Sequence, residues 1–195
     1  MSTNARDTIL TAAGRLIARE DACRLTLGNV AAEARLSTGA GLYHFGTKDD
    51  LIRRVVETLV AQFDTELVTN SAPGTPGAWT RACLQTTVSE TGSETETPVS
   101  GLSPRLGPAL TRTGIAAAVA DKPAHLEPVC PAHHRWQQNI ENDLIDPLDA
   151  TTVRLSGDGL QFSDLIGLGP LPEPLNHAVV SRLRAMTISA HLTET

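Results

Sequence analysis

The most chemically pointed cluster in this sequence surrounds Lys48. Thr47 is suited to cap a helix start, and Asp50 three residues on completes a capping-box spacing, which puts Lys48 in the first helical turn. The N–H groups of a first turn have no intrahelical acceptor and the helix dipole is positive there, so a lysine at that point makes a phosphate clamp. Just upstream, Tyr43 and His44 carry hydrogen-bonding tips, and Thr38, Gly39, Ala40 and Gly41 are small enough to let a helix approach a nucleic-acid backbone closely. Other clusters carry less. His125, Cys130, His133 and His134 include a Cys-x-x-His spacing that zinc could use, but prolines break it and no second cysteine pair follows, so neither a metal nor a cofactor is expected. No GxSxG, HExxH, P-loop or dinucleotide-binding glycine pattern occurs, and Gly157-Asp158-Gly159 lies in a helical stripe with no preceding strand. Nothing points to an enzyme.

Capping and periodicity give the elements that must position this cluster. Thr26 caps a short helix whose Val30, Ala31 and Ala34 share one face. Arg35 and Leu36 interrupt it, and Ser37 caps a second helix from Thr38 to about His44. Phe45 reads as an apolar wedge beneath the unit and Gly46 as a left-handed stop. Upstream, residues 4–20 place Ile9, Leu10, Ala13, Leu16 and Ile17 on one stripe with Arg6, Arg15 and Arg19 off it, an amphipathic helix that should pack on the pair. Downstream, Leu51, Ile52, Val55, Leu59, Phe63 and Leu67 continue the period, so the helix opening at Thr47 should run to about residue 69 and act as a lever.

Thr26, Ser37-Thr38-Gly39, Tyr43-His44-Phe45 and Gly46-Thr47-Lys48 followed by Leu51 together resemble the helix-turn-helix DNA-binding domain of the TetR family of bacterial transcriptional regulators. The resemblance implies that Thr26, Thr38, Tyr43, His44 and Lys48 lie at a DNA surface, mainly on phosphates. It places the residues around Gly39 to Leu42, with Ala40 among them, nearest the bases, and the cap residues Ser37 and Thr47 are counted with the DNA-binding set. Two departures stand out. A turn position usually held by glycine is Arg35, which costs about 1 kcal/mol or more if the site needs positive φ. Gly41 and Leu42 replace larger or polar residues, leaving few donors for base edges.

Composition is compatible with this reading. The chain has 195 residues with hydrophobic content of 41% but only 3% aromatic, so its core must be aliphatic and its Phe, Trp and Tyr side chains mark particular places. The net charge of −6 is uneven, for residues 1–58 hold eight Lys/Arg against seven Asp/Glu and the rest eight against fifteen. An acidic body discourages non-specific adhesion and leaves the N-terminal head to meet phosphate. No long apolar run and no signal-peptide core occur, so a cytoplasmic protein without a membrane span is expected. Cys23, Cys83 and Cys130 suit reduced thiols better than a disulfide framework.

Beyond residue 70, SAPGTPG at 71–77 is turn chemistry, and helices are expected at 78–90, 104–110, 114–120, 132–144, 147–166 and 174–191, with 91–103 as polar loop. Asp146-Pro147 is a cap followed by a first-position proline. Pro123, Pro128 and Pro131 should fragment the chain between. No strand-like alternation appears, so the fold is expected to be all-α, with a helix-turn-helix domain over 1–50 and a larger helical domain over 51–195.

Residues 135–147 and 153–160 also resemble C-terminal domains of some TetR-type regulators. That resemblance implies a homodimer paired through the last two helices, with Leu155, Gly159, Phe162, Val179, Leu183 and Met186 at the interface. It also implies a small-molecule effector pocket, for which Trp79, Cys83, His133, Trp136 and Phe162 are the candidate lining groups. The expected function is therefore a regulator, a repressor released from a palindromic double-stranded DNA operator by an effector. The alternative is a small-molecule binding protein with a degenerate head.

Overall fold

The computed structural model describes residues 5–20, 25–37, 39, 45–88, 122–165, 168–169 and 171–188. They form α1 (Ala5–Glu20), α2 (Leu27–Glu33), α3 (Lys48–Asn70), α4 (Ala78–Thr87), a short 3-10 turn (Pro123–Leu126), α5 (Val129–Glu141), α6 (Pro147–Leu165) and α7 (Glu173–Met186). The fold is all-α, with no strand among the described residues. None of their helices is long and apolar enough to cross a membrane. The helices expected at 104–110 and 114–120 and the loop at 91–103 lie outside the described residues.

The chain gathers into two units, Met1–Gln62 with Glu94–Pro131, and Phe63–Ser93 with Ala132–Thr195. In the first, α1 packs on α2 and buries Ile9, Ala13, Leu16 and Ile17 of the stripe that its periodicity marks, while Leu10 stays only partly buried and Ala12 is buried in addition. Leu25, Val30, Ala31, Phe45 and the α3 residues Leu51, Ile52, Val55, Val56 and Leu59 are buried in the same unit. This core is almost wholly aliphatic, and each fully buried Leu, Ile or Val contributes about 1.5–3 kcal/mol. Phe45 is its aromatic member, with the Arg6 guanidinium carbon 6.0 Å from the ring centroid.

In the second unit α6 packs on α4 and on α7. One core cluster holds Leu67, Ala82, Cys83, Ile140, Ile145 and Ala150, with Phe63, Trp79 and Trp136 against it. The other holds Leu84, Val153 and Leu183, with Val88, Leu160, Val179 and Met186 against it. A buried aspartate organises one corner. Asp143 accepts from the backbone N–H groups of Trp79 (3.0 Å) and Thr80 (2.7 Å), so it caps α4 from 63 residues away, and its carbonyl accepts from Gly77 N–H. Gly77 has φ +69, and a Cβ there would collide with the Thr187 carbonyl, so only glycine fits. Arg81 then bridges the Thr187 and Pro76 carbonyls, which fastens the end of α7 to the start of α4.

Several local expectations change. The helix expected at 132–144 spans Val129–Glu141, and the one expected at 174–191 spans Glu173–Met186. Pro131 does not end a helix; α5 begins at Val129, so the proline sits in the first turn, where its missing N–H has no intrahelical acceptor to lose. Gly46 is not left-handed, whereas Arg35 (φ 56) and Leu144 (φ 60) are. The 78–90 helix ends at Thr87, after which Val88 leaves helical geometry. The expected caps at Thr26 and Asp146 form. Asn29 N–H donates to Thr26 Oγ1 at 3.1 Å, and Leu148 and Asp149 N–H donate to Asp146 Oδ1.

Candidate nucleic-acid interface and regulatory core

The turn after α2 is built by three backbone bonds. Leu36 N–H reaches the Ala31 carbonyl (2.9 Å), Arg35 N–H the Ala32 carbonyl (3.1 Å) and Ala34 N–H the Val30 carbonyl (2.8 Å). The first two form a Schellman motif, whose penultimate residue must be left-handed. Arg35 occupies that position, so the cost expected of a side chain there is present in the folded chain. Ser37 follows, exposed, and Gly39 is exposed and helical. Thr38, Ala40, Leu42, Tyr43 and His44 lie outside the described residues.

Description resumes at the start of α3. Thr47 Oγ1 accepts from Asp50 N–H (3.0 Å) and donates to Asp50 Oδ2 (2.7 Å). The Thr47 hydroxyl therefore caps α3 at an exposed position. Lys48, half-buried, is the first residue of α3, beside the helix's open amide end. Asp49 would oppose an anion at this point, but Lys122 Nζ lies 2.7 Å from its Oδ2 and His125 Nε2 lies 3.4 Å from its Oδ1. The Lys122 hydrogen bond, with the nearby positive charge, holds the Asp49 carboxyl below its ordinary range against the opposing effect of burial. One turn on, Arg53 pairs with Glu127 at 3.0 Å.

In the second unit the structure brings together three of the five candidate lining residues. Trp79, Cys83 and Trp136 share one cluster, where Trp136 meets Phe63 edge-on at 4.7 Å and donates its indole N–H to Asp64. Burial pushes the Cys83 thiol up to about 12, with Asp158 and Asp143 adding to the shift. His133 is exposed and lies 3.1 Å from Arg154, and Phe162 is 59% exposed on α6, so neither belongs to that cluster. Among the described residues of this unit, four buried polar atoms have no hydrogen-bond partner: Trp79 Nε1, Thr80 Oγ1, Gln137 Oε1 and Arg154 Nε. Thr80, Gln137 and Arg154 are absent from the sequence-derived set, because nothing in a single sequence shows that a polar side chain is buried unpaired.

The six expected interface residues divide by face. Leu155 (56% exposed) and Phe162 lie on the outer side of α6 with Leu148 (75%), and the Cβ position of Gly159 opens into free space. Val179, Leu183 and Met186 instead face their own subunit's Leu84–Val153 cluster, Leu183 being 5% exposed. The outer face of α7 carries Leu175, Ala178, Arg182 and Ala185. Gly157 belongs inside, where a Cβ would touch Thr87 and Leu84.

These two sets of geometry coincide with two family models. Residues 9–55 match the bacterial regulatory proteins of the tetR family, and residues 77–188 match the tetracyclin repressor-like C-terminal domain, which alone spans more than half of the chain. The chain belongs to the TetR family. A TetR-family member from Streptomyces coelicolor A3 has 24% identity and a TM-score of 0.62, over 93% of this chain and 98% of that one. A transcriptional regulator from Rhodococcus sp. Rha1 has 20% identity and a TM-score of 0.66, over 94% and 96%. The multidrug binding protein EbrR, complexed with malachite green, has 22% identity and a TM-score of 0.60, over 93% and 98%. No curated protein matches the chain by sequence at a significant level. This TetR-family chain thus couples a helix-turn-helix head to a C-terminal domain of the ligand-binding type.

Proposed function

We propose that this TetR-family regulator is a repressor that binds a palindromic DNA operator as a homodimer and is released by a small-molecule effector. The observation that carries the reading is the start of α3, where a Thr47 cap presents Lys48 at an open amide end directly after the helix-turn-helix. Thr26, Ser37, Thr38, Tyr43 and His44 are the further phosphate and sugar contacts in this reading, with Gly39, Ala40 and Leu42 facing the bases. With so few base-edge donors, much of the specificity comes from DNA shape.

The outer stripe Leu148, Leu155, Gly159 and Phe162 supports the dimer, since exposed apolar side chains at heptad spacing are costly unless a partner covers them. Val179, Leu183 and Met186 support the subunit's own core, and Leu175, Ala178 and Ala185 take their place at the interface. The effector core comprises Trp79, Cys83 and Trp136 together with the unpartnered atoms of Thr80, Gln137 and Arg154. A ligand that hydrogen-bonds those atoms removes a cost of about 1–3 kcal/mol for each. It shifts the population only if it binds the released state more tightly.

A second reading, an effector-binding protein whose head has lost DNA affinity, is favoured by the strained Arg35. Selection of bound duplexes from a random library separates the two. The repressor reading expects enriched palindromes with half-sites about 10 bp apart or somewhat more, and no enrichment favours the second reading. Leu155→Glu tests the dimer by sedimentation. A folded monomer with a lower melting midpoint is expected, because the partner's stabilisation is lost, and a dimer that survives the charge moves the interface elsewhere.

A further inference from the structure

The 3-10 turn and its flanks belong by sequence to the C-terminal family domain, which begins at residue 77, yet they gather with the first unit. Three contacts tie them to the first two turns of α3. Lys122 and His125 meet Asp49, and Glu127 meets Arg53. His125 is 5% exposed, so this is a seated contact rather than a loose surface pairing. Asp49 directly follows Lys48, and Arg53 lies one turn beyond it on the same side of the helix. On the other side, a single residue separates Glu127 from α5, which carries Trp136 and Gln137.

We propose that Lys122, His125 and Glu127 are positioning residues for the DNA-contacting start of α3, holding Asp49 and Arg53 so that Lys48 is presented in one orientation. The proposal rests on the DNA-binding reading above. A lysine carries four rotatable carbons and points wherever its helix turn points, so an α3 start free to rock would spread its ammonium over several positions. Fixing the next residue from outside the helix-turn-helix removes that freedom without any contact to DNA.

Two simpler roles for Lys122 are a direct phosphate contact and mere neutralisation of Asp49. The test separates all three with duplexes selected by the wild-type full-length protein. Because the Lys122–Asp49 pair is half exposed on both sides, its removal leaves the fold intact, which a melting curve checks. The charge-neutral double variant Asp49→Asn/Lys122→Met is expected to bind the duplex about twofold to fivefold more weakly with an unchanged salt slope. Lys122→Arg should restore wild-type affinity. Wild-type affinity in the double variant overturns the proposal, because the two charges then only offset each other. A salt slope that falls by about one in Lys122→Met also overturns it, because Lys122 then touches phosphate itself. If the wild type enriches no duplex, the DNA reading fails and the proposed role falls with it. Amide hydrogen exchange at residues 49–53 still reads the hold itself, with faster exchange expected in the double variant and unchanged exchange counting against it.

Discussion

The two units differ in how far they reach to satisfy polar groups at helix ends. In the head the partners are neighbours in sequence: Thr26 caps Asn29, Thr47 caps Asp50, and the Arg35 turn closes on α2's own carbonyls. In the second unit Asp146 caps α6 locally, but the ends of α4 and α7 are held from a distance. Asp143 reaches back 63 and 64 residues to the start of α4, and Arg81 reaches the Thr187 carbonyl at the end of α7 across 106. A locally capped unit carries its shape in short motifs, whereas a unit capped at long range is defined only once the whole chain has folded.

Breaking one cap in each unit sharpens that contrast. Asp143→Ala leaves two buried N–H groups unpaired and should cost about 2–4 kcal/mol in urea unfolding, whereas Thr47→Ala should cost about 1 kcal/mol. Equal losses would erase the distinction. Lys48→Ala tests what the local geometry is for. Binding to the selected duplex at 0.1 M salt should weaken roughly tenfold, with the salt slope reduced by about one, and unchanged affinity removes the clamp. Arg35→Gly probes the strained turn after α2 and should raise stability by about 1 kcal/mol in the same urea experiment.

The smallest effect belongs to the buried thiol. Cys83 in the folded chain titrates near 12 against an ordinary value of 9.0, so between those values the unfolded chain loses its proton first. The stability this thiol confers is complete below about pH 9 and declines as pH rises toward 12. Cys83→Ala should therefore show a shallower loss of stability between about pH 9 and 10.5 than the wild type, and parallel curves would mean that the thiol is not buried.

The same contrast explains what the sequence made legible. Thr26, Thr47 and Asp146 are readable as caps because a cap and its amides lie within three residues. The stripes of α1 and α3 are readable because 3.6-residue periodicity needs no partner to be seen. Asp143 is not readable, since nothing near it in sequence needs a cap. Phe162 and Leu183 show the limit of periodicity itself. A stripe says that a side chain wants burial, but not whether its own subunit supplies the cover. Helix α6 carries two apolar faces, Leu148, Leu155 and Phe162 on one and Ala150, Val153 and Leu160 on the other, and only packing tells them apart. Arg35 is an intermediate case, since the departure from glycine is visible in sequence and its positive φ only in the fold.

The bridge from Arg81 to Thr187 sets where the polypeptide tolerates a cut. Ile188 follows, 70% exposed, so the chain has reached the surface one residue past the bridge. A proteolytic nick one residue before Thr187 would instead strip Arg81 of an acceptor and uncover Gly77 together with the amides that Asp143 seals.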